Sequence, residues 1–234
     1  MNTDIASQDF QPSAEIWEDI FKNNEWGKYP MIDLVRFTAR NFYKADDRRA
    51  VKLLEIGSGP GANLWYLARE GFTVYGIDFS KTACERTRKR LKEDGLDDQI
   101  GELKVGDFYE KLDEFEDGFF DAIIDMEALY CNSFNRSRAI LEKAVSKLKC
   151  GGKLLSVTFA DQTTGLVGEE VDYHALLPSS GPCANKGFSR YTTYDDIEKL
   201  YGFSDTQIEN IELLERHLNS RERIREYVIQ LRKK

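Results

Sequence analysis

The stretch Val51–Gly61, VKLLEIGSGPG, places the tightest constraint on what this chain can fold into. Val51, Leu53, Leu54 and Ile56 are apolar and partly β-branched, which reads as a short strand buried on both faces. Gly57, Gly59 and Gly61 follow, and helix-compatible sequence resumes at Asn63. A strand, a tight glycine-rich turn and a helix N-terminus make a nucleotide-binding crevice. The backbone there must turn sharply and approach a ligand with no Cβ in the way. Glu55 stands two residues before the first glycine. A carboxylate beside the turn would repel a pyrophosphate and suits a ligand that carries an ammonium group.

The chain is long enough, at 234 residues, for one α/β domain with additions. No apolar run approaches the roughly 20 residues that span a bilayer. The N-terminal MNTDIASQDFQPSAEIWEDI is acidic and lacks the apolar core of a signal peptide. Cys84, Cys131, Cys150 and Cys183 form no C-x-x-C pair and read as reduced thiols, so a cytoplasmic protein without a metal site is expected. A net charge of −8 argues against a nucleic acid partner, because phosphate binding needs clustered Lys and Arg. The basic run from Arg216 to Lys234 reads as a solvated final hairpin.

Strand and helix signals alternate along the chain. Residues 1–12 show no periodicity and are expected to be mobile. Ser13–Asn24 can form a helix with Ile16, Trp17, Ile20 and Phe21 on one face, and Pro30 opens a second helix. The first strand leads to a helix over 63–70, ended by Gly71. Strands are expected over 72–77, 100–105, 119–125 and 153–159, with helices over 80–93 and 133–149 between them. Residues 160–190 break the alternation with a long polar segment rich in Gly, Pro and Ser, a length that is usually functional or disordered. A helix follows over 193–200. Strands over 207–214 and 224–231, with no helix between them, imply an antiparallel hairpin.

Asp78 closes the second strand, 21 residues after Gly57. A carboxylate there can accept two hydrogen bonds from the vicinal hydroxyls of a ribose. Two readings of the turn stay open at this point, since Gly57-x-Gly59-x-x-Ala62 also satisfies the looser dinucleotide pattern.

Leu53-Leu54-Glu55-Ile56-Gly57-Ser58-Gly59-Pro60-Gly61 resembles the first motif of the class I S-adenosylmethionine-dependent methyltransferases, an apolar strand, an acid, an apolar residue and G-x-G-x-G. Gly106-Asp107-Phe108 and Phe120-Asp121-Ala122-Ile123-Ile124 resemble that family's later strand-end motifs. The resemblance implies an α/β, doubly wound, Rossmann-like seven-stranded mixed sheet with helices on both faces and the last strand antiparallel. It divides a single domain into an N-terminal helical cap (1–50), a cofactor-binding core (51–160), a substrate or lid insertion (161–190), and a final helix and β-hairpin (191–234).

It further implies S-adenosylmethionine as cofactor and S-adenosylhomocysteine as product, held by Glu55, Gly57, Ser58, Gly59 and Gly61, by Asp78 and Phe79 at the ribose, by Asp107 and Phe108 at the adenine, and by Asp125, Met126 and Trp26. The methyl acceptor is expected to be a small molecule that presents an oxygen or a nitrogen, lined by Tyr130, Tyr173 and Arg190. His174 is the best general base by residue type. A Ser or Cys nucleophile is not supported, because no histidine stands in a recognisable elbow. An NAD(P)-dependent oxidoreductase and a catalytically silent cofactor-binding subunit are the rival readings.

Overall fold

A computed structural model of the chain describes residues 10–234; the mobility expected for residues 1–12 falls largely outside them. The elements in order are α1 (Phe10–Asn23), α2 (Ile32–Phe42), β1 (Lys52–Ile56), α3 (Ala62–Arg69), β2 (Thr73–Asp78), α4 (Lys81–Glu93), β3 (Ile100–Val105), α5 (Phe108–Leu112), β4 (Phe120–Met126), α6 (Phe134–Lys147), β5 (Leu148–Phe159), β6 (Ala175–Leu176), β7 (Ser189–Arg190), α7 (Tyr194–Tyr201), β8 (Thr206–Leu218) and β9 (Glu222–Lys233). Seven strands form one sheet in the order β3-β2-β1-β4-β5-β9-β8. The first five run parallel, and β9 enters antiparallel between β5 and β8. This is the doubly wound mixed sheet that the family resemblance implies. The strand order reverses between β1 and β4, which opens a crevice beyond their C-terminal ends.

Both faces of the sheet are covered. Leu54 and Ile56 join Ile140, Leu141 and Ala144 of α6 and Ile197 and Leu200 of α7 in one core. Leu53, on the opposite face, joins Leu34 and Phe37 of α2, Leu64 and Leu67 of α3, and Leu91 of α4 in another. Successive residues of β1 therefore bury on alternate sides, as the two-residue period of a strand requires. Local chemistry fixes the helix starts. Ser80 Oγ accepts from the Ala83 amide at 3.0 Å, and Thr193 with Asp196 forms a capping box on α7.

Three local readings change. α6 ends at Lys147 and β5 begins at once, so Leu148 and Lys149 are strand and not helix, and the strand starts five residues before 153. A short helix, α5, follows β3 where none is expected, capped by the Asp107 side chain. The insertion is ordered and tied to the terminal hairpin. Thr163 Oγ1 donates to the Arg225 carbonyl at 3.0 Å, and Arg225 pairs with Asp161 at 3.0 Å. Gly165 and Gly181 lie where the two limbs of the insertion cross, and a Cβ on either would run into the other limb's backbone. These glycines permit a close approach and are not hinges. Among the described residues no helix is long and apolar enough to cross a membrane.

Candidate cofactor site

Gly57, Gly59 and Gly61 all take positive φ, at 71°, 50° and 81°. Gly61 is the N-cap of α3, and a Cβ there would stand 2.5 Å from Thr87 of α4, so only glycine fits. The turn is braced from beneath. The Gly59 amide donates to Asp78 Oδ2 and the Ser80 amide to Asp78 Oδ1, both at 2.8 Å. Thr87 Oγ1 donates to the Gly59 carbonyl at 3.0 Å. Burial pushes the Asp78 carboxyl up to about 6, although these amide hydrogen bonds pull it back.

A cavity of about 340 Å³ opens above the turn. Its floor holds Glu55, the three glycines, Ser58, Asn63 and Asp78, and its sides hold Phe79, Phe108, Met126, Glu127 and Tyr130. Glu55 is 1% exposed. Its Oε1 accepts from Asn63 Nδ2 at 2.6 Å, while Oε2 and the Ser58 hydroxyl have no hydrogen-bond partner. Burial pushes the Glu55 carboxyl up to about 8, against the hydrogen bond from Asn63. A buried carboxylate oxygen left open toward a cavity needs a cationic or hydrogen-donating ligand to be satisfied. The rings of Phe79 and Phe108 lie 5.0 Å apart at 31° and leave an apolar wall beside it.

The roof comes from parts of the chain far apart in sequence. Trp17 and Phe21 of α1, Tyr130 and Cys131 after β4, and Leu166, Leu176 and Cys183 of the insertion form one cluster. Trp17 Nε1 donates to Cys131 Sγ at 3.3 Å. α1 is pinned to the start of α4, where Glu18 accepts from Ser80 Oγ at 2.5 Å and Thr82 Oγ1 at 2.7 Å. Burial alone would raise the Glu18 carboxyl, but these hydrogen bonds and that of Lys22 outweigh it and hold it at about 2. Trp26 lines the mouth, edge-on to Trp17 and Phe21. Trp17, Phe21 and Trp26 thus bring the N-terminal segment over the crevice.

Five of the expected site residues lie elsewhere. Asp107 caps α5 through the Glu110 amide and forms a buried ion pair with Arg136, so its carboxylate faces α6 and not the cavity. Asp125 is also spent internally: Oδ1 accepts from the Ala128 and Leu129 amides at 3.0 Å each, and Oδ2 accepts from Ser156 Oγ at 2.6 Å. It shapes the loop that presents Met126 to Tyr130, and burial raises its carboxyl above the ordinary value. His174 stacks between Tyr173 and Tyr191, and its Nδ1 meets Asp196 Oδ2 at 2.8 Å. Tyr173 donates to the other oxygen of Asp196 at 2.8 Å. Arg190 is 1% exposed and bonds to Thr192 Oγ1 at 3.0 Å. His174, Tyr173 and Arg190 therefore fasten the insertion to α7 and the core, away from the cavity lining.

The lining residues Trp17, Phe21, Asn63 and Lys186 escaped the sequence reading, whereas Glu127, beside Met126, is where the resemblance implies a contact with the cofactor and the substrate mouth. Trp17 and Phe21 read as ordinary core positions of an amphipathic helix, and Asn63 as the first residue of α3. Lys186 carries no local signal at all, yet its side chain reaches the cavity from the insertion. Glu127 takes a left-handed φ of 55° at the end of β4, with its amide bonded to the Val157 carbonyl at 2.9 Å. Its side chain lines the cavity and hydrogen-bonds to Glu226 of β9.

Residues 53–152 match the model of a methyltransferase domain. EEF1A lysine methyltransferase 2 of Danio rerio is 31% identical over 155 residues, 57% of this chain and 63% of that protein. A ubiquinone biosynthesis O-methyltransferase of Actinobacillus pleuropneumoniae is 34% identical over 86 residues, 37% of each chain. The matched stretch spans less than two thirds of either relative. In fold, the chain resembles a Burkholderia thailandensis 1,6-didemethyltoxoflavin-N1-methyltransferase solved with S-adenosylhomocysteine, with a TM-score of 0.62 at 15% identity over 96% of this chain and 85% of that one.

Proposed function

Since the chain carries a class I S-adenosylmethionine-dependent methyltransferase domain, we propose that it transfers the cofactor's methyl group to a small-molecule oxygen or nitrogen acceptor. The single observation that carries the cofactor reading is the unpartnered Glu55 Oε2, buried in the cavity beside the glycine turn. It suits the ammonium of the methionine half. Asp78 borders the same cavity, and each of its oxygens keeps a lone pair beyond the amide bond it already accepts, enough for a ribose hydroxyl. Phe79, Phe108 and Met126 supply the apolar walls for the adenine. The dinucleotide alternative is not favoured, because a pyrophosphate at the glycine turn would meet Glu55.

When bound, the cofactor supplies an activated methyl on sulfur and a neutral thioether leaving group. The protein's own contribution is then mainly positioning, which can be worth on the order of 7–11 kcal/mol. The roof of α1 and the insertion excludes water, and the loop shaped by Asp125 sets Met126, Glu127 and Tyr130 against the reacting end.

Thermal shift and calorimetry with S-adenosylhomocysteine, NAD and NADP test the reading. S-adenosylhomocysteine alone should raise the midpoint by mass action, and Glu55→Gln should lose most of that rise. Stabilisation by NAD instead would overturn it. Methyl transfer to any acceptor by the wild-type chain would exclude a silent subunit.

A further inference from the structure

Resting on the cofactor reading above, we propose that the methyl acceptor enters the cavity as a cation, an amine whose ammonium group takes the place of the Lys186 side chain between the aromatic roof and Glu127.

The sheet divides the cavity. Glu55, Asp78 and Phe108 stand at the ends of β1, β2 and β3, and the cofactor takes that half. Glu127 ends β4, and its partner Glu226 lies on β9, opposite Phe159 at the end of β5. The half left for an acceptor is therefore the half lined by Glu127, with Glu226 buried behind it.

The roof over this half already accommodates a cation. Lys186 Nζ lies 5.7 Å from the Trp17 ring centre and 5.6 Å from that of Trp26, in reach of a cation–π attraction. Trp17, Phe21 and Trp26 meet edge to face or tilted. Lys186 belongs to the insertion and is half-buried, on a flexible stem that a ligand could displace.

Beneath it, Glu226 is 2% exposed and accepts from Arg216 Nη2 at 3.0 and 2.8 Å. Glu127 hydrogen-bonds to it, a contact that needs a proton shared between the two carboxyls: burial raises the Glu127 carboxyl well above the ordinary range, Glu226 raises it further, and Lys186 and Arg216 oppose the rise. Cys183 and Tyr130 also lie close to it. An ammonium brought beside Glu127 favours the carboxylate, so binding expels the shared proton to solvent. The vacated carboxylate is then placed to take a proton from the bound ammonium. The N–H bond breaks toward Glu127, the nitrogen lone pair forms the N–CH₃ bond, and the S–CH₃ pair stays on sulfur. A neutral hydroxyl brings no charge to draw that proton away from Glu127.

Calorimetry on the full chain saturated with S-adenosylhomocysteine tests it with benzylamine and benzyl alcohol, two probes of one shape that differ in charge at pH 7. In Lys186→Ala, benzylammonium should bind about tenfold tighter than the alcohol, the scale of a partly desolvated cation–π contact. Runs in two buffers of different ionisation enthalpy should show a proton released. Adding Glu127→Gln should erase the released proton and narrow the preference to what the aromatic roof alone supplies. If that double variant fails to bind S-adenosylhomocysteine, Glu226→Gln in the same background should reduce the proton released while the preference for the ammonium remains. Equal affinity for the two probes, no measurable binding of either, or a proton release that survives Glu127→Gln overturns the inference. Failure of the wild type to bind S-adenosylhomocysteine overturns the cofactor reading instead.

Discussion

The Gly59 amide and the Asp78 carboxylate meet at 2.8 Å, and through this bond β2 holds the glycine turn of β1 in shape. Asp78→Asn keeps one oxygen and leaves either Gly59 or Ser80 with a buried, unpaired amide. A loss of about 1–3 kcal/mol in unfolding free energy is expected by denaturant titration, together with weaker S-adenosylhomocysteine binding. The sequence alone suggests that removing this side chain weakens binding with the fold unchanged; the bracing role makes both fall together. Unchanged stability would show that the turn holds itself.

Glu55 should make stability depend on pH. Its carboxyl titrates at about 8 in the folded chain against 4.5 as the ordinary value, so the folded state binds its proton more tightly. That contribution is fully present below pH 4.5 and is lost as pH rises to about 8, to an extent on the order of a few kcal/mol. Glu55→Gln, which cannot ionise, should gain stability relative to wild type between pH 5 and pH 8 in thermal melts. A constant difference across that window would place the titration elsewhere.

Asp107 and Arg136 form a buried ion pair, with side chains 9% and 3% exposed. Arg136→Met leaves the carboxylate without its partner in the interior and should cost about 3–5 kcal/mol. Asp107→Asn with Arg136→Met should recover part of that loss, and the double-mutant cycle measures the coupling. A cofactor role for the Asp107 side chain would instead appear as an affinity loss with little change in stability.

His174→Ala should lower the melting temperature by several degrees while leaving S-adenosylhomocysteine affinity within about twofold. The imidazole fills the stack between Tyr173 and Tyr191 and bonds to Asp196, so its loss opens a gap and frees a buried acceptor. For a general base the expectation is a rate loss of roughly 10²–10⁴-fold at unchanged stability. Parallel melts and turnover assays distinguish the two.

The sequence by itself determined the frame. Apolar runs of strand length, glycines at fixed offsets and helix caps such as Ser80 act within a few residues, so the succession of elements, the turn beneath the cavity and the place of Glu55 and Asp78 follow from local chemistry. Spacing could not say where a strand-end side chain points once other elements pack on it. Asp107 and Asp125 occupy the positions a cofactor contact would take, yet Arg136 on α6 and Ser156 on β5 turn them inward. His174 and Arg190 have the residue types of a reactive site and are held by Asp196 and Thr192 instead. The acceptor half of the cavity was illegible for the same reason. Trp17, Glu127, Lys186 and Glu226 lie far apart along the chain, and only the packing of α1, the insertion and the terminal hairpin over one sheet edge brings them together.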